Sequence, residues 1–179
     1  MALVDVVLAA LAVVHPGGTP ETRAAAVTAI VDASREAPLW APATSSDDAP
    51  EIAATALLLA AIAEHESSFD PRVGDCRVRG RGNALGYFQL MGRFALDGHA
   101  PAEICASTDL GARLALRVLR THRCKACPPA RWLNGYASGH PGFSSKASRD
   151  TRAIWVKLAT AAGLQVFPLA TTAPRWVSK

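Results

Sequence analysis

The chain has 179 residues, half of them apolar or aromatic, with a net charge of +4 and a pI of about 9.1. That length suits one compact domain with a sizeable core, and no uncharged apolar run is long enough to span a bilayer: the longest, residues 52–63, has 12 residues. The mild positive charge suits an anionic polymer partner, a bacterial wall or nucleic acid alike, and is equally well read as a solubility charge with no partner meaning.

Alanine dominates the apolar half and only 6% of the chain is aromatic, while β-branched runs of period two are scarce. The expected fold class is therefore mainly α, all-helical or helix-rich α+β. Residues 2–14 read as an amphipathic helix stopped by His15-Pro16-Gly17-Gly18. With no Lys or Arg in front, Asp5 inside and no small-x-small site, this segment is not a recognisable signal peptide. Thr19-Pro20-Glu21 opens a second helix, with Thr as N-cap and an acid in the first turn, running to about Arg35. Residues 37–49 form a loop. Asp48-Ala49-Pro50-Glu51 then opens a third helix, to about Glu66, whose middle is apolar on every side and so is buried all round. Residues 67–86 read as a long polar connection, and 85–91 as a short strand or hairpin arm. Thr108-Asp109 caps a helix to about His122, with Leu110, Leu114, Val118 and Leu119 along one face. Pro128-Pro129 opens a short helix through Trp132, residues 148–162 form the last, and the tail from Phe167 is irregular.

Four cysteines, Cys76, Cys105, Cys124 and Cys127, fit disulfides outside a reducing cytosol and allow three full pairings. A helix over 109–123 would hold Cys105 and Cys124 roughly 20 Å apart. That disfavours their bridging and leaves 76–105 with 124–127 as one option.

The chemistry concentrates where the buried helix ends, at Glu64-His65-Glu66-Ser67-Ser68-Phe69-Asp70-Pro71. A helix C-terminus carries partial negative charge and apolar surroundings disfavour ionisation, so both raise a nearby carboxyl pKa. A glutamic acid kept protonated near neutral pH is what glycosidic cleavage needs as a general acid. Glu64 and Glu66 point about 200° apart on a helix, so only one can face a given cleft. Read alone, either is most simply a solvated helix-end charge.

Glu66-Ser67-x-Phe69-Asp70-Pro71, followed about twenty residues on by Gly86-Tyr87-Phe88-Gln89-Leu90-Met91, resembles the soluble lytic transglycosylase family. That family's pattern is E-S-x-F-x-P followed by G-x-x-Q-[LIV]-M. Its third block, Y-N-A-G-like, has a weaker counterpart in Tyr136-Ala137-Ser138-Gly139. The resemblance covers residues 52–140 and is carried by the first two blocks together. It implies a lysozyme-like domain, here over 49–166, with a short hairpin or strand near the cleft; outside the match, the N-terminal helices in 1–48 pack on or precede that core, and 167–179 is a tail. It implies cleavage of the MurNAc–GlcNAc β-1,4 bond of peptidoglycan with 1,6-anhydro-MurNAc formation, without metal or cofactor.

Residue by residue, the resemblance gives Glu66 the acid/base role, Ser67 a hold on the carboxyl or a substrate amide, and Gln89 a place in the cleft wall. Gly86 would allow a tight backbone, and the Tyr136 hydroxyl would reach the catalytic carboxyl. Three departures stand out. Ala137 replaces the third-block Asn, with Asn134 three residues earlier, and Tyr87 and Phe88 replace small residues, which would reshape the cleft while keeping it apolar.

Goose-type lysozymes share the single glutamate but hydrolyse with water, and here Asp70, Asp75 or Asp97 would have to position it. A non-catalytic wall-binding or virion structural protein and a basic nucleic-acid binder are rivals of other classes, the latter requiring a clustered basic face. The leading expectation has peptidoglycan glycan strands as partner and no nucleic acid. Without a signal peptide, the expected route to the wall is phage release or carriage in a virion, or a secretion apparatus. Cys124-x-x-Cys127 with His122 lacks a second ligand pair for zinc. Arg77, Arg79 and Arg81 read as a loop lining the cleft, and His65 and His140 as incidental. Trp40, Trp132, Trp155 and Trp176 read as core or sugar-stacking residues.

Overall fold

A computed structural model describes residues 2–17, 20–41, 46, 49–78, 80, 83–123 and 127–177, with the backbone alone at 20, 93 and 94. In chain order the elements are α1 (Leu3–Val14), α2 (Pro20–Glu36), α3 (Pro50–Ser67), α4 (Pro71–Gly74), α5 (Gly92–Leu96), α6 (Pro101–Ala106), α7 (Thr108–Thr121), α8 (Pro129–Ser138), α9 (Lys146–Ala161), β1 (Leu164–Gln165) and β2 (Arg175–Trp176). The fold is mainly α with a small antiparallel pair of strands, and no helix among the described residues is long and apolar enough to cross a membrane.

The middle of α3 has no polar side to present to water, so the other helices surround it. Every residue from Glu51 to Glu64 is buried, with α9, α2, α1 and α7 packed around it. Leu3, Val7 and Leu11 of α1 and Val27, Ile30 and Val31 of α2 belong to the same hydrophobic cluster as α3. The two N-terminal helices therefore complete the core. Thr55, the one hydroxyl in this run, donates to the Glu51 carbonyl at 2.8 Å and accepts from the Leu39 amide at 2.9 Å. This ties the chain after α2 against α3.

Three tryptophans are core residues. The Trp40 ring lies 5.1 Å from Trp132 and 6.0 Å from Trp155, and Trp155 donates to the Ala54 carbonyl at 3.2 Å. Trp176, on β2, is partly exposed.

Local details differ from the sequence reading where a neighbour decides. Ser107, not Thr108, caps α7, its hydroxyl accepting from the Leu110 amide at 3.1 Å. The helix that opens at Pro129 runs past Trp132 to Ser138, because Leu133, Asn134 and Gly135 are buried, and it ends at Gly139 with φ 73°. The arm expected over 85–91 reduces to a single antiparallel bridge between Leu85 and Leu90. The tail is not wholly irregular: Arg175 and Trp176 pair with Gln165 and Leu164. The polar connection contains α4, where Asp70 accepts from the Arg72 amide at 2.8 Å.

A disulfide joins Cys76 to Cys105, fastening the segment after α4 to α6. Cys127 is also disulfide-bonded, which removes it as a thiolate ligand for zinc, and Cys124 lies outside the described residues. So do Thr19 and Asp48, expected at helix starts, and Arg79 and Arg81.

Candidate active-site cleft

The last turn of α3 ends in a left-handed cap. Ser68 and Phe69 both have positive φ, 50° and 53°, and the Ser68 amide bonds back to the Glu64 carbonyl at 2.9 Å. On the helical turn before this break, Glu66 opens onto a cleft of about 710 Å³. One wall is formed by Gly80, Ala84 and Gln89 to Met91; the other is α7, through Val118 and the capping His122, with Gly135 to Gly139 at the end of α8. Burial raises the Glu66 carboxyl pKa above its ordinary value, opposed in part by the neighbouring His65. Among the described residues lining the cleft, Glu66 is the one carboxylate.

Gln89 is held by its own turn. Its backbone has φ 48°, and its side-chain amide donates to the Gly86 carbonyl at 2.9 Å, from a Gly86 with φ 66°. A Cβ at Gly80 would stand 1.5 Å from Gln89 Oε1, so the bare glycine is what leaves room for this side chain. Tyr136 is half-buried and reaches across from α8. Its hydroxyl donates to the Phe88 carbonyl at 2.6 Å. Burial, and then the charge of Glu66, push its pKa well above the ordinary phenol value, so it remains a neutral donor.

Glu66, Gln89 and Tyr136 thus line one cleft. The other two predicted site residues do not. Ser67 is buried, and its hydroxyl donates back to the Ala63 carbonyl at 2.7 Å, so it holds neither the carboxyl nor a substrate amide. Gly86 lies beneath the surface as the turn that accepts Gln89. The Tyr136 hydroxyl is committed to Phe88 and feels Glu66 through that carboxylate's charge. Tyr87 and Phe88 do not reshape the cleft, because both rings turn inward. Tyr87 covers Gly74, whose Cβ would stand 2.2 Å from the ring, and Phe88 is 1% exposed in the core. Ala137 lines the cleft, while Asn134 donates to the Pro141 carbonyl at 3.2 Å and does not take the missing asparagine's place.

The candidate second carboxylates are each occupied by arginine. Asp70 pairs with Arg72 at 2.7 Å, Asp75 with Arg77 at 2.7 Å and Asp97 with Arg117 at 2.7 Å, and none lines the cleft. Glu64 faces the opposite side of α3, where it is buried between α1 and α2 rather than solvated. His140 is exposed and lies outside the lining.

His122, Val118 and Met91 line the cleft and were not singled out for it from the sequence. His122 lies four residues after Val118, on the same helical face, and that spacing was the available signal. Its ring rests against Gly135, whose Cβ would stand 2.2 Å from His122 Cγ, and burial lowers its pKa.

Fold and site together define a mainly helical domain whose cleft, among its described lining residues, carries one half-buried carboxylic acid. No family model, characterised protein or solved structure matches the chain.

Proposed function

We propose that this protein is a peptidoglycan lytic transglycosylase that cleaves the MurNAc–GlcNAc β-1,4 bond with Glu66 as its acid and base. The observation that carries the reading is the cleft itself: a single carboxylate among its described lining residues, with burial favouring the protonated form. A hydrolase of the usual kind needs a second carboxylate to activate water or to attack the sugar. A transglycosylase does not, because its nucleophile is the substrate's own C6 hydroxyl.

Protonated Glu66 would deliver its proton to the bridging oxygen as the glycosidic bond breaks. The carboxylate left behind would take the proton of the C6 hydroxyl as that oxygen closes on C1. The acid is regenerated and the product ends in a 1,6-anhydro ring. Neutral Tyr136 and Gln89 flank the acid without competing for its proton. The apolar wall of Leu90, Met91 and Val118 suits the faces of sugar rings and helps keep Glu66 protonated.

The test is digestion of purified peptidoglycan by the protein and by Glu66→Gln, with the soluble products identified by mass spectrometry. Anhydro-ended muropeptides that disappear with the variant are expected. Reducing-end products, heavier by about 18 Da for one added water, would make the enzyme a lysozyme-type hydrolase. No product from several wall chemotypes would refute the enzyme reading and leave a wall-binding or virion structural role.

A further inference from the structure

On the face of α3 opposite the cleft, Glu64 is 5% exposed and sits between two residues of the N-terminal helices. Its Oε1 lies 3.1 Å from His15 Nδ1, at the end of α1, and its Oε2 lies 3.5 Å from Arg23 Nη2 on α2. Arg23 is itself 4% exposed and donates through Nη1 to the His15 carbonyl at 3.0 Å. The guanidinium carbon stands 5.8 Å from the centre of the Phe69 ring, and that ring lies 6.0 Å from Tyr87, next to the turn that carries Gln89.

These contacts bracket the two left-handed residues that follow Glu66. Ser68 and Phe69 are not glycines, and each positive φ costs about 1–2 kcal/mol. Such a conformation persists only where its surroundings over-determine it. Glu64, against His15 through Oε1 and within ion-pair distance of Arg23 through an Oε2 that makes no hydrogen bond, lies on the last turn before Glu66, and Phe69, near a cation and an aromatic ring, lies on the chain after it.

We propose that His15, Arg23 and Glu64 form a positioning clamp by which the N-terminal helix pair sets the direction in which Glu66 enters the cleft; this rests on reading Glu66 as the catalytic acid. None of the three lines the cleft, so they are positioning residues and not catalytic ones. A buried charge pair is weak evidence for stability, since an apolar or neutral replacement of both partners often folds as well. Its fixed geometry on the helix turn that bears the acid gives it a use beyond stability.

The test is the double variant Arg23→Gln/Glu64→Gln. It removes one charge of each sign, so it orphans no buried charge and changes the field at Glu66 little. The Glu66 carboxyl is titrated by carbon-detected NMR, beside kinetics on glycan strands. The clamp predicts a folded protein in which Glu66 titrates closer to the ordinary carboxyl range, having turned toward water. It also predicts kcat lower by about tenfold with KM within about twofold. Arg23→Lys keeps the charge but lacks the fork, and is expected to shift the titration the same way by less. Unchanged titration of Glu66 in the folded double variant, or in Arg23→Lys if the double variant does not fold, overturns the clamp. If the wild type releases no product while the titration still moves, the chemical reading fails and the clamp stands.

Discussion

The Tyr136 hydroxyl donates to the Phe88 carbonyl at 2.6 Å, across 48 positions of sequence. This bond joins the end of α8 to the turn that presents Gln89, and so closes the floor of the cleft beside Glu66. Tyr136→Phe keeps the ring and leaves that carbonyl without its donor. The expected cost is about 1 kcal/mol, a fall in Tm of roughly 2–4 °C for a chain of this size. Thermal unfolding measures it. An unchanged Tm would mean that the bond contributes nothing net.

Glu66→Gln is expected to reduce product release by at least about a hundredfold, since it removes the only group assigned to proton transfer. It is also expected to stabilise the fold near neutral pH. Burial raises the folded-state pKa of Glu66 above its unfolded value, so ionisation is costlier in the folded chain. The penalty is absent below the unfolded carboxyl range, grows as pH rises through it and is complete above the folded pKa. The Tm advantage of Gln should therefore be largest at neutral pH and vanish below about pH 4. The same raised pKa sets the alkaline limb of activity, which should fall as the acid is lost. A Tm difference that does not depend on pH would contradict the burial of this carboxyl.

The Cys76–Cys105 bridge spans a sequence separation of 29 and ties α6 beneath the Gly86 turn, where a Cβ at Gly86 would stand 3.9 Å from Ile104 Cγ2. Replacing both cysteines by alanine should cost about 3–4 kcal/mol by the chain-entropy estimate for a loop of that length. Denaturant titration of the variant checks this more cleanly than a reductant, which would also open the disulfide at Cys127. A midpoint within error of wild type would show that the segment holds without the bridge.

Two glycines of the cleft should respond to alanine for different reasons. At position 80 the added Cβ meets the flexible far end of Gln89. That end can swing away at the loss of its bond to Gly86, so stability should fall by only about 1 kcal/mol while KM rises. At position 135 alanine suits the helix better than glycine by about 1 kcal/mol. The new Cβ nevertheless meets Cγ and Cβ of His122, the stiff root of that side chain, and the net change should be destabilising. Paired unfolding and kinetic measurements separate the two, and a stabilised Gly135→Ala would show that the His122 ring yields freely.

The sequence by itself determined what depends on near neighbours along the chain. A run with no polar face had to become the helix that the others surround. Prolines at the starts of α2, α3 and α8 placed those helix starts to within a few residues. Two glutamates two positions apart on a helix had to face different ways, and a carboxyl at the end of a buried helix had to be hard to ionise. Those grounds alone left either glutamate a solvated helix-end charge, and what singled out Glu66 was the resemblance carried by Glu66-Ser67-x-Phe69-Asp70-Pro71 with Gly86-Tyr87-Phe88-Gln89-Leu90-Met91.

Which way each glutamate faced was decided only when α1 and α2 folded back onto α3 and gave Glu64 an arginine and a histidine. The local signal at Ser67 was overruled by its own helix, since its hydroxyl reaches the Ala63 carbonyl one turn back more readily than anything across the cleft. The Tyr136–Phe88 bond, the fit of His122 against Gly135 and the pairing of Arg175 with Gln165 join residues distant in sequence. No pattern of local spacing encodes which hydroxyl meets which carbonyl across such distances. Those partnerships follow from how the helices pack, because a buried polar group takes whatever partner the packing brings within reach.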